Sequence, residues 1–340
     1  VPTSGKDARG GSALIVALWV LMILSMLITS LAFDMHIEAG VASYYRKRTK
    51  AQYLGQAGVE YAKSVLVKEV QSGEAGDLIL EEGDDEETVV AAINLSRGVG
   101  VTLTRELGEG SFTVNIKPEE GRRNVNTLLE EDWKEIFDQA GVPTDLWDEL
   151  MDCFYDWIDK GDEHRLNGAE SEDPFYKDRD YEVKNANLDT VDELLMIKGF
   201  TEAIVYGGPN PDKDGESMTG IAQWLTTWGD GKVNLNTASR EVLLTLPNIE
   251  DWVVDDIIAK RVGVDGQAGT KDDGFDNVDE AMGQTGMNPE LRERVSTTDR
   301  KYIRVDSIGE VQKVKNGITC ILQVSDGKVV PVFWAERVLE

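Results

Sequence analysis

The chain has 340 residues, enough for one large domain or two ordinary ones, and 41% of them are hydrophobic, which suffices for a packed core. Its net charge of −28 argues against binding to nucleic-acid phosphates or anionic lipid headgroups and suits cations or a basic partner. Two cysteines without a CxxC pair, and two histidines far apart in the sequence, argue against a zinc site built from these residues.

The first predicted element is a membrane-spanning helix. Residues 12–33 contain no charged side chain, and their length fits the ~20 residues that cross about 30 Å of hydrocarbon. A secretory signal peptide has a shorter apolar stretch and a small-residue cleavage site, and a buried core helix is rarely apolar on every face. Because Lys6 and Arg9 precede the run, the N-terminus should stay in the cytoplasm and the bulk of the chain should lie across the membrane.

The helical pattern continues beyond the membrane. No proline occurs between residues 12 and 70, and apolar side chains recur three to five residues apart in its second half. One continuous helix over this range would be ~88 Å long. We expect its first half to lie in lipid and its second half to place an apolar stripe on a globular part: Leu54, Ala57, Tyr61, Val65 and Val70.

Strands are predicted in two distant parts of the chain. An acidic loop over 73–87 leads to "VTLTRELGEGSFTVNIKP", which alternates apolar and polar residues around Gly108-Glu109-Gly110 and predicts a β-hairpin. Near the C-terminus, three further strands are predicted at 301–307, 317–325 and 329–337, with Asp326-Gly327 as a turn.

A helix-rich block over 124–298 separates these two β regions. A sheet interrupted by a helical block indicates one domain inserted into another. Cys153 lies in the helical block and Cys320 in a predicted strand, so we expect two free, buried thiols, although an oxidising compartment would permit a disulfide.

The helical block contains a near-repeat. "NANLDTVDELLMIKGF" begins at residue 185 and "KVNLNTASREVLLTLPNI" at 232, and "RNVNTL" from 123 echoes their start. The Asn and Thr side chains predict bonds to backbone groups at turns and helix starts, with Thr190 and Glu193 as a capping box. The second copy also looks like a helix-hairpin-helix, a motif that grips DNA phosphates elsewhere, but its hairpin at 246–251 is acidic.

Carboxylates crowd the segment 155–176. Three interpretations stay open: a structural network, a cation site, or acid–base catalysis. No nucleophile–base pair is recognisable, so no catalytic residue and no enzymatic activity are predicted. The carboxylates considered for these roles are Asp156, Asp159, Asp162, Glu163 and Glu170.

Two loops are candidate calcium sites, with a solvated acidic loop as the alternative for each. Asn210, Asp212 and Asp214 alternate before Gly215, as in the first half of an EF-hand loop, but Ile221 stands at the twelfth position, so this is no EF-hand.

The second loop, over 263–280, is richer in oxygen donors. Its carboxylates repel one another unless they are solvated or bridged by a cation, and oxygen donors without His or Cys favour calcium over zinc. The candidate ligands are Asp265, Asp272, Asp273, Asp276 and Asp279.

The N-terminus resembles a type IV pilin or a type II secretion pseudopilin, because the long helix follows a leader that ends in two glycines. The resemblance implies cleavage by the prepilin peptidase after Gly11 and methylation of Ser12 as the new N-terminus. Most members have glutamate at mature position five, but here Val16 stands there, and a cut after Gly10 would place Ile15 there instead. In the family that carboxylate neutralises the amine of a neighbour already in the filament. Its loss suits a first subunit at the tip, which has no such amine to neutralise.

Further phrases narrow the resemblance to the K-type minor pseudopilins. "YDWIDKGDEHRLNGAESEDPFY" over 155–176 is similar to a family signature, and "PEEGRRNVNTL" over 118–128 resembles the phrase that leads into the family's α-domain. With the N-terminus and the Asn-Thr-Ala phrase at 236–238, these matches span nearly the whole chain.

The resemblance implies an α+β pilin-like fold: a long N-terminal helix on an antiparallel sheet, with a large inserted α-domain. It divides the chain into a leader, a transmembrane part, a first pilin-like part, an inserted domain with helix-hairpin-helix repeats, and C-terminal strands: 1–11, 12–33, 34–123, 124–298 and 299–340.

The implied function is to cap the tip of a periplasmic pseudopilus and help initiate its assembly, for the export of folded proteins across the outer membrane. The implied location is the inner membrane, with the soluble part in the periplasm. The implied partners are I- and J-type minor pseudopilins, the major pseudopilin, prepilin peptidase and secreted proteins, with calcium as cofactor. The alternative is a minor pilin of a type IV pilus or DNA-uptake system, with a nucleic-acid-binding helix-hairpin-helix domain.

Overall fold

The fold is described from a computed structural model, which covers residues 9–71, 86–211, 215–268, 270, 272–298, 301–325 and 328–339. Four sequence expectations lie wholly or largely outside these residues: the leader over 1–11, the loop over 73–87, the pair Asp212 and Asp214, and the turn Asp326-Gly327.

Helix α1 spans Arg9–Gln71 without interruption, as predicted. Its 63 residues make a rod of about 95 Å at 1.5 Å per residue. Side chains from Ala51 onward form the buried stripe. The stripe includes Leu54 and Val65 as predicted, whereas Ala57 and Tyr61 are only partly buried at its margin.

The sheet has five antiparallel strands in the order β1-β2-β3-β4-β5. Both β regions predicted from sequence contribute to it, and the predicted hairpin is present as β1 and β2. The strands are β1 Val101–Leu107, β2 Gly110–Pro118, β3 Tyr302–Val311, β4 Val314–Ser325 and β5 Lys328–Leu339.

The second half of α1 packs on one face of this sheet. Alternating residues of β2, including Val114 and Ile116, face α1 and are fully buried. A Cβ atom on Gly309 would overlap the Ala51 carbonyl oxygen and the Gly55 nitrogen, so the backbones of α1 and β3 touch directly at this point. The face of the sheet that carries odd-numbered β2 residues points away from α1.

A second helix, α2 (Glu86–Ser96), packs against α1 and against β1 and β2. The loop predicted over 73–87 therefore extends two residues too far, because Glu86 and Glu87 already belong to α2. The reason is visible in the sequence, because Glu86 and Glu87 in the first turn complement the positive end of the helix.

Between β2 and β3 the chain forms short helices with their own apolar core, separate from the core between α1 and the sheet. Its largest buried side chains are aromatic, and Trp133 packs against Phe137 and Phe154 at ring-centroid distances of 5.2 and 4.8 Å. The α-helices are α3 Glu130–Ala140, α4 Trp147–Ile158, α5 Pro174–Lys177, α6 Glu202–Tyr206, α7 Arg240–Leu244, α8 Asp251–Lys260 and α9 Val278–Thr285.

Short 3₁₀ helices and two- or three-residue strands complete this part of the chain. The 3₁₀ helices are Glu119–Gly121, Val125–Thr127, Thr144–Leu146, Val191–Met196, Ile221–Gln223 and Pro289–Arg294. The short strands pair Arg123–Asn124 with Leu225–Thr226, Gly207–Pro209 with Ser217–Thr219, and Val233–Asn234 with Val295–Ser296.

Candidate assembly and cation-binding sites

The first half of α1 has no intramolecular partner for its apolar side chains within the described residues. Between Leu14 and Phe33, every described large apolar side chain is 51 to 73% exposed. The most apolar 18-residue window of this helix has a mean hydropathy of 2.6, and none of it is buried. Length and composition therefore fit a single membrane anchor.

Gly11, Ser12 and Val16 all lie in the first two turns of α1. Val16 is 61% exposed on this apolar rod, and residues 8–33 contain no aspartate or glutamate. Neither of the two candidate cleavage sites therefore leaves a carboxylate near the new N-terminus.

Three of the five carboxylates predicted in the loop 263–280 converge. One oxygen each from Asp265, Asp272 and Asp273 lies within 4.8 Å of the other two. Asp272 accepts the Val264 amide at 2.8 Å and the Thr270 hydroxyl at 2.7 Å. These bonds lower the pKa of the Asp272 carboxyl from its ordinary value, with the Thr270 hydroxyl as the largest cause.

The other two carboxylates of this loop face arginines instead. Asp279 forms a two-point contact with Arg292, which lowers the pKa of Asp279. Asp276 lies 3.6 Å from the Arg97 guanidinium. Both of these carboxylates therefore contact arginines and do not join the three converging carboxylates.

The 210–216 loop is described only in part. Asn210 is largely buried, and its side-chain amide donates to the Gly141 carbonyl at 2.9 Å. Its backbone amide donates to the Glu216 carbonyl at 2.9 Å, which closes the loop. Asp212 and Asp214 lie outside the described residues.

The carboxylates of 155–176 divide into buried and exposed groups. Asp156 is fully buried, and both of its oxygens accept the Arg165 amide at 3.1 Å, which favours the structural interpretation of this residue. Glu170 is also buried, and one of its oxygens has no hydrogen-bond partner among the described residues. Burial, followed by the charges of Asp156 and Asp159, raises the pKa of Glu170 to about 7.

The Asn and Thr side chains of the near-repeat bind backbone groups, as predicted. Asn236 donates to the carbonyls of Arg97 and Phe275 at 2.7 and 3.0 Å, and Asn126 bonds both backbone groups of Leu188 at 2.8 and 3.1 Å. The Glu193 carboxylate accepts the Thr190 amide at 3.0 Å, which is the predicted return contact of the capping box.

Three cations of the helix-hairpin-helix copy and its following helix contact acceptors within the protein. Arg240 bonds Asp255 at 3.0 Å and lies 3.5 Å from Asp251. Lys260 pairs with Asp256 at 2.8 Å, and Arg261 donates to the Ala238 carbonyl at 2.6 Å. Phosphate binding at this hairpin would have to displace these contacts.

Both cysteines are free and buried, as predicted. Burial raises the pKa of the Cys153 thiol to about 12 and that of Cys320 to about 11. Neither thiol is therefore activated as a nucleophile.

Sequence analysis missed a group of cations on the sheet face opposite α1. Lys117 and Arg304 are paired in register on β2 and β3, and Arg122 lies in the turn after β2. The alternation along β2 puts Lys117 on the opposite face from the apolar residues, so the sequence could have predicted its position. The position of Arg122 depends on a turn that the pattern does not reveal.

Two parts of the chain match models of known protein families. Residues 113–206 match the family model described as type II secretion system, protein K, and residues 10–60 match the model described as PilX N-terminal. No curated protein sequence matches the chain.

A similar fold occurs in the crystal structure of the GspK-GspI-GspJ complex from the enterotoxigenic Escherichia coli type 2 secretion system. The TM-score is 0.55 and the identity 15%, over 85% of this chain and 99% of that chain. The family is a structural component of the secretion system rather than an enzyme. Residues 113–206 thus match the protein K model of type II secretion systems, within an α+β fold like that of the GspK-containing complex, in agreement with the resemblance to the K-type minor pseudopilins.

Proposed function

We propose that this minor pseudopilin caps the tip of the periplasmic pseudopilus and helps to initiate its assembly. In this proposal residues 12–33 anchor it in the inner membrane and the remainder lies in the periplasm. Its partners are the I- and J-type minor pseudopilins and the major pseudopilin. GspI and GspJ occur with GspK in the complex of similar fold, which supports the first two.

The observation that carries the proposal is Val16. A subunit added below another one must neutralise the N-terminal amine of its predecessor within an apolar helix bundle, since an unpaired buried charge is costly. With valine at this position, the chain has no group for that task. It therefore suits the one position in the filament that has no predecessor.

The test is a copy-number measurement in secreting cells. Wild-type protein, Val16→Glu and the matched control Val20→Glu, one helical turn further on and similarly exposed, are quantified by mass spectrometry in sheared pseudopili. We expect far fewer copies of the wild-type protein than of the major pseudopilin, and Val16→Glu to retain secretion. Copy numbers equal to those of the major pseudopilin would contradict the tip position.

Val16→Lys should block membrane insertion, because a lysine is costly at bilayer depth. Equal loss of secretion in Val16→Glu, Val16→Asp and Val16→Lys would mean that Val16 serves only packing in the membrane.

The DNA-uptake alternative receives less support. The chain carries a net charge of −28, and Arg240 and Lys260 of the helix-hairpin-helix copy are already paired with carboxylates. Nucleic-acid affinity depends mainly on free cations that displace counterions. Binding of a labelled DNA duplex at physiological salt would favour the alternative.

We also propose that the carboxylates of Asp265, Asp272 and Asp273 bind calcium. Their convergence supports the proposal, because hard oxygen donors suit this ion. Calcium should release heat in a calorimetric titration and raise the unfolding midpoint of the full chain, with magnesium as the control ion. Asp272→Ala with Asp273→Ala should abolish the shift, whereas Asp212→Ala should retain it. Absence of both heat and shift at millimolar calcium would refute the proposal.

A further inference from the structure

A small cavity of 110 Å³ lies between the end of β2 and the inserted part, on the sheet face opposite α1. Two cations, Lys117 and Arg122, line it together with one buried carboxylate, Glu119, and the hydroxyl-bearing Thr237 and Ser239. The cavity adjoins a larger groove of 390 Å³, with which it shares Arg122 and other lining residues.

The two cations of this cavity share one carboxylate, Glu119, which contacts Arg122 but not Lys117. The nearby acids, Glu119 and Asp306, both bond or approach Arg304, at 3.8 and 2.8 Å. Arg122 lies 3.9 Å from Glu119, at the limit of an ion pair. Within the described residues, the Lys117 ammonium has no hydrogen-bond or ion-pair partner.

The charges of Glu119 and Asp306 offset only part of the cost of burying the two cations. Burial lowers the pKa of both Lys117 and Arg122, and repulsion between the two adds to the effect at Lys117. A half-buried cation loses hydration that only an opposite charge can replace. A carboxylate in the cavity would pair with both cations and would accept from the Thr237 hydroxyl.

The adjoining groove indicates what carries the anion. Its lining includes the apolar side chains of Ile321, Phe333 and Trp228, and the cation Arg337. The three acids that line it already contact other groups: Asp189 pairs with Lys184 at 2.8 Å, Asp192 accepts the Tyr206 hydroxyl at 2.7 Å, and Glu119 lies between Arg122 and Arg304. A ligand that fills both spaces has an anionic group next to an apolar body.

We propose that this site binds an acidic segment of a partner protein, with one carboxylate between Lys117 and Arg122 and apolar side chains on Ile321 and Phe333. The site does not depend on the position of the subunit in a filament. It also gives this strongly acidic chain a means of recognising a partner of the same charge sign.

The probe is a labelled eight-residue peptide that alternates glutamate with valine and phenylalanine, and the control is its glutamine counterpart. Fluorescence anisotropy is measured on the full chain in detergent. We expect the glutamate peptide to bind at least tenfold more tightly, with an affinity that falls as salt is added.

Two charge-matched double variants localise the effect. Lys117→Gln with Arg122→Gln should weaken binding of the glutamate peptide at least tenfold. Lys134→Gln with Lys160→Gln removes the same charge from exposed positions and should leave binding within about twofold, as expected for distant exposed charges.

A stability measurement distinguishes a binding role from a structural one. Without peptide, Lys117→Gln should raise the unfolding midpoint, because it removes a half-buried cation that has no partner. Saturating glutamate peptide should then stabilise the wild type more than this variant. A structural role would instead lower the midpoint of Lys117→Gln under both conditions.

Three results would overturn the proposal. The first is equal binding of the two peptides, and the second is retained binding in the Lys117→Gln, Arg122→Gln variant. The third is displacement of the peptide by an equal concentration of inorganic phosphate, which would assign the cavity to a small anion.

Discussion

Asp132 joins the start and the end of the inserted part, and we predict that removing its carboxylate strongly destabilises the protein. The residue is 2% exposed. It forms ion pairs with Arg123, just after β2, and with Arg294, shortly before β3, the latter at 2.7 Å. It also accepts the Leu129 amide at 2.9 Å, at the start of α3.

The magnitude follows from burial. Arg123 is nearly as buried as Asp132, and it also donates to the carbonyl and hydroxyl oxygens of Thr245, which carry no charge. Asp132→Ala therefore leaves an uncompensated charge in the interior, which costs about 3–5 kcal/mol. Replacing both partners by apolar side chains, as in Arg123→Met with Asp132→Leu, should recover most of this loss because no unpaired charge remains.

Urea denaturation of the full chain, followed by tryptophan fluorescence, measures these differences, since Trp133 is fully buried next to the site. The control is Asp145→Ala, an exposed carboxylate in the same part of the chain, which should stay within about 0.5 kcal/mol of the wild type. A loss below about 1 kcal/mol in Asp132→Ala, against the expected cost of a broken buried pair, would refute the reasoning. A double variant no more stable than the single one would refute it as well.

Three further predictions concern processing, pH and the thiols. Mass spectrometry of membrane-extracted protein should show an N-methylated Ser12 and no residues before it, and an intact leader beyond Gly11 in cells with active peptidase would contradict this. Because the pKa of Glu170 is raised to about 7 from an ordinary 4.5, the folded state holds this proton more tightly than the unfolded chain does. Stability should therefore fall as pH rises through that window. Glu170→Gln should raise the unfolding midpoint at about pH 8 and leave it unchanged at about pH 4; an equal effect at both would exclude titration as the cause. Intact-mass analysis with and without reductant should show no two-dalton difference, since Cys153 and Cys320 are separate and buried.

The elements that the sequence predicts well are those with a strong local period. Helix α1 has a continuous apolar run followed by a helical stripe, and strands β2 and β3 alternate between buried and more exposed residues. The order of the strands can also be predicted from the sequence, because strands that follow one another in the chain usually pair as neighbours. The end of the 73–87 loop was misplaced, since acidic residues suit both a solvated loop and the first turn of α2.

The geometry of the sites is harder to predict from the sequence, because it depends on which distant segments of the chain come into contact. Composition placed five carboxylates in one loop, but Arg292 draws Asp279 away and Arg97 faces Asp276. Neither arginine is marked in the sequence as a partner. Charge counting over the whole chain also hid the local excess of cations around Lys117, because 63 acidic residues dominate the sum.

The register of the sheet has a consequence for how this architecture can vary. Pro118, the last residue of β2, pairs directly with Ile303 near the start of β3, so the chain leaves and rejoins the sheet at adjacent positions. Everything between them occupies the place of a hairpin loop in a simple five-stranded meander. A construction in which a short turn joins β2 to β3 would keep every strand pairing of the sheet. The protein is in this sense a small helix-and-meander unit with a module in one loop, and the order and pairing of its strands do not depend on the length of that loop.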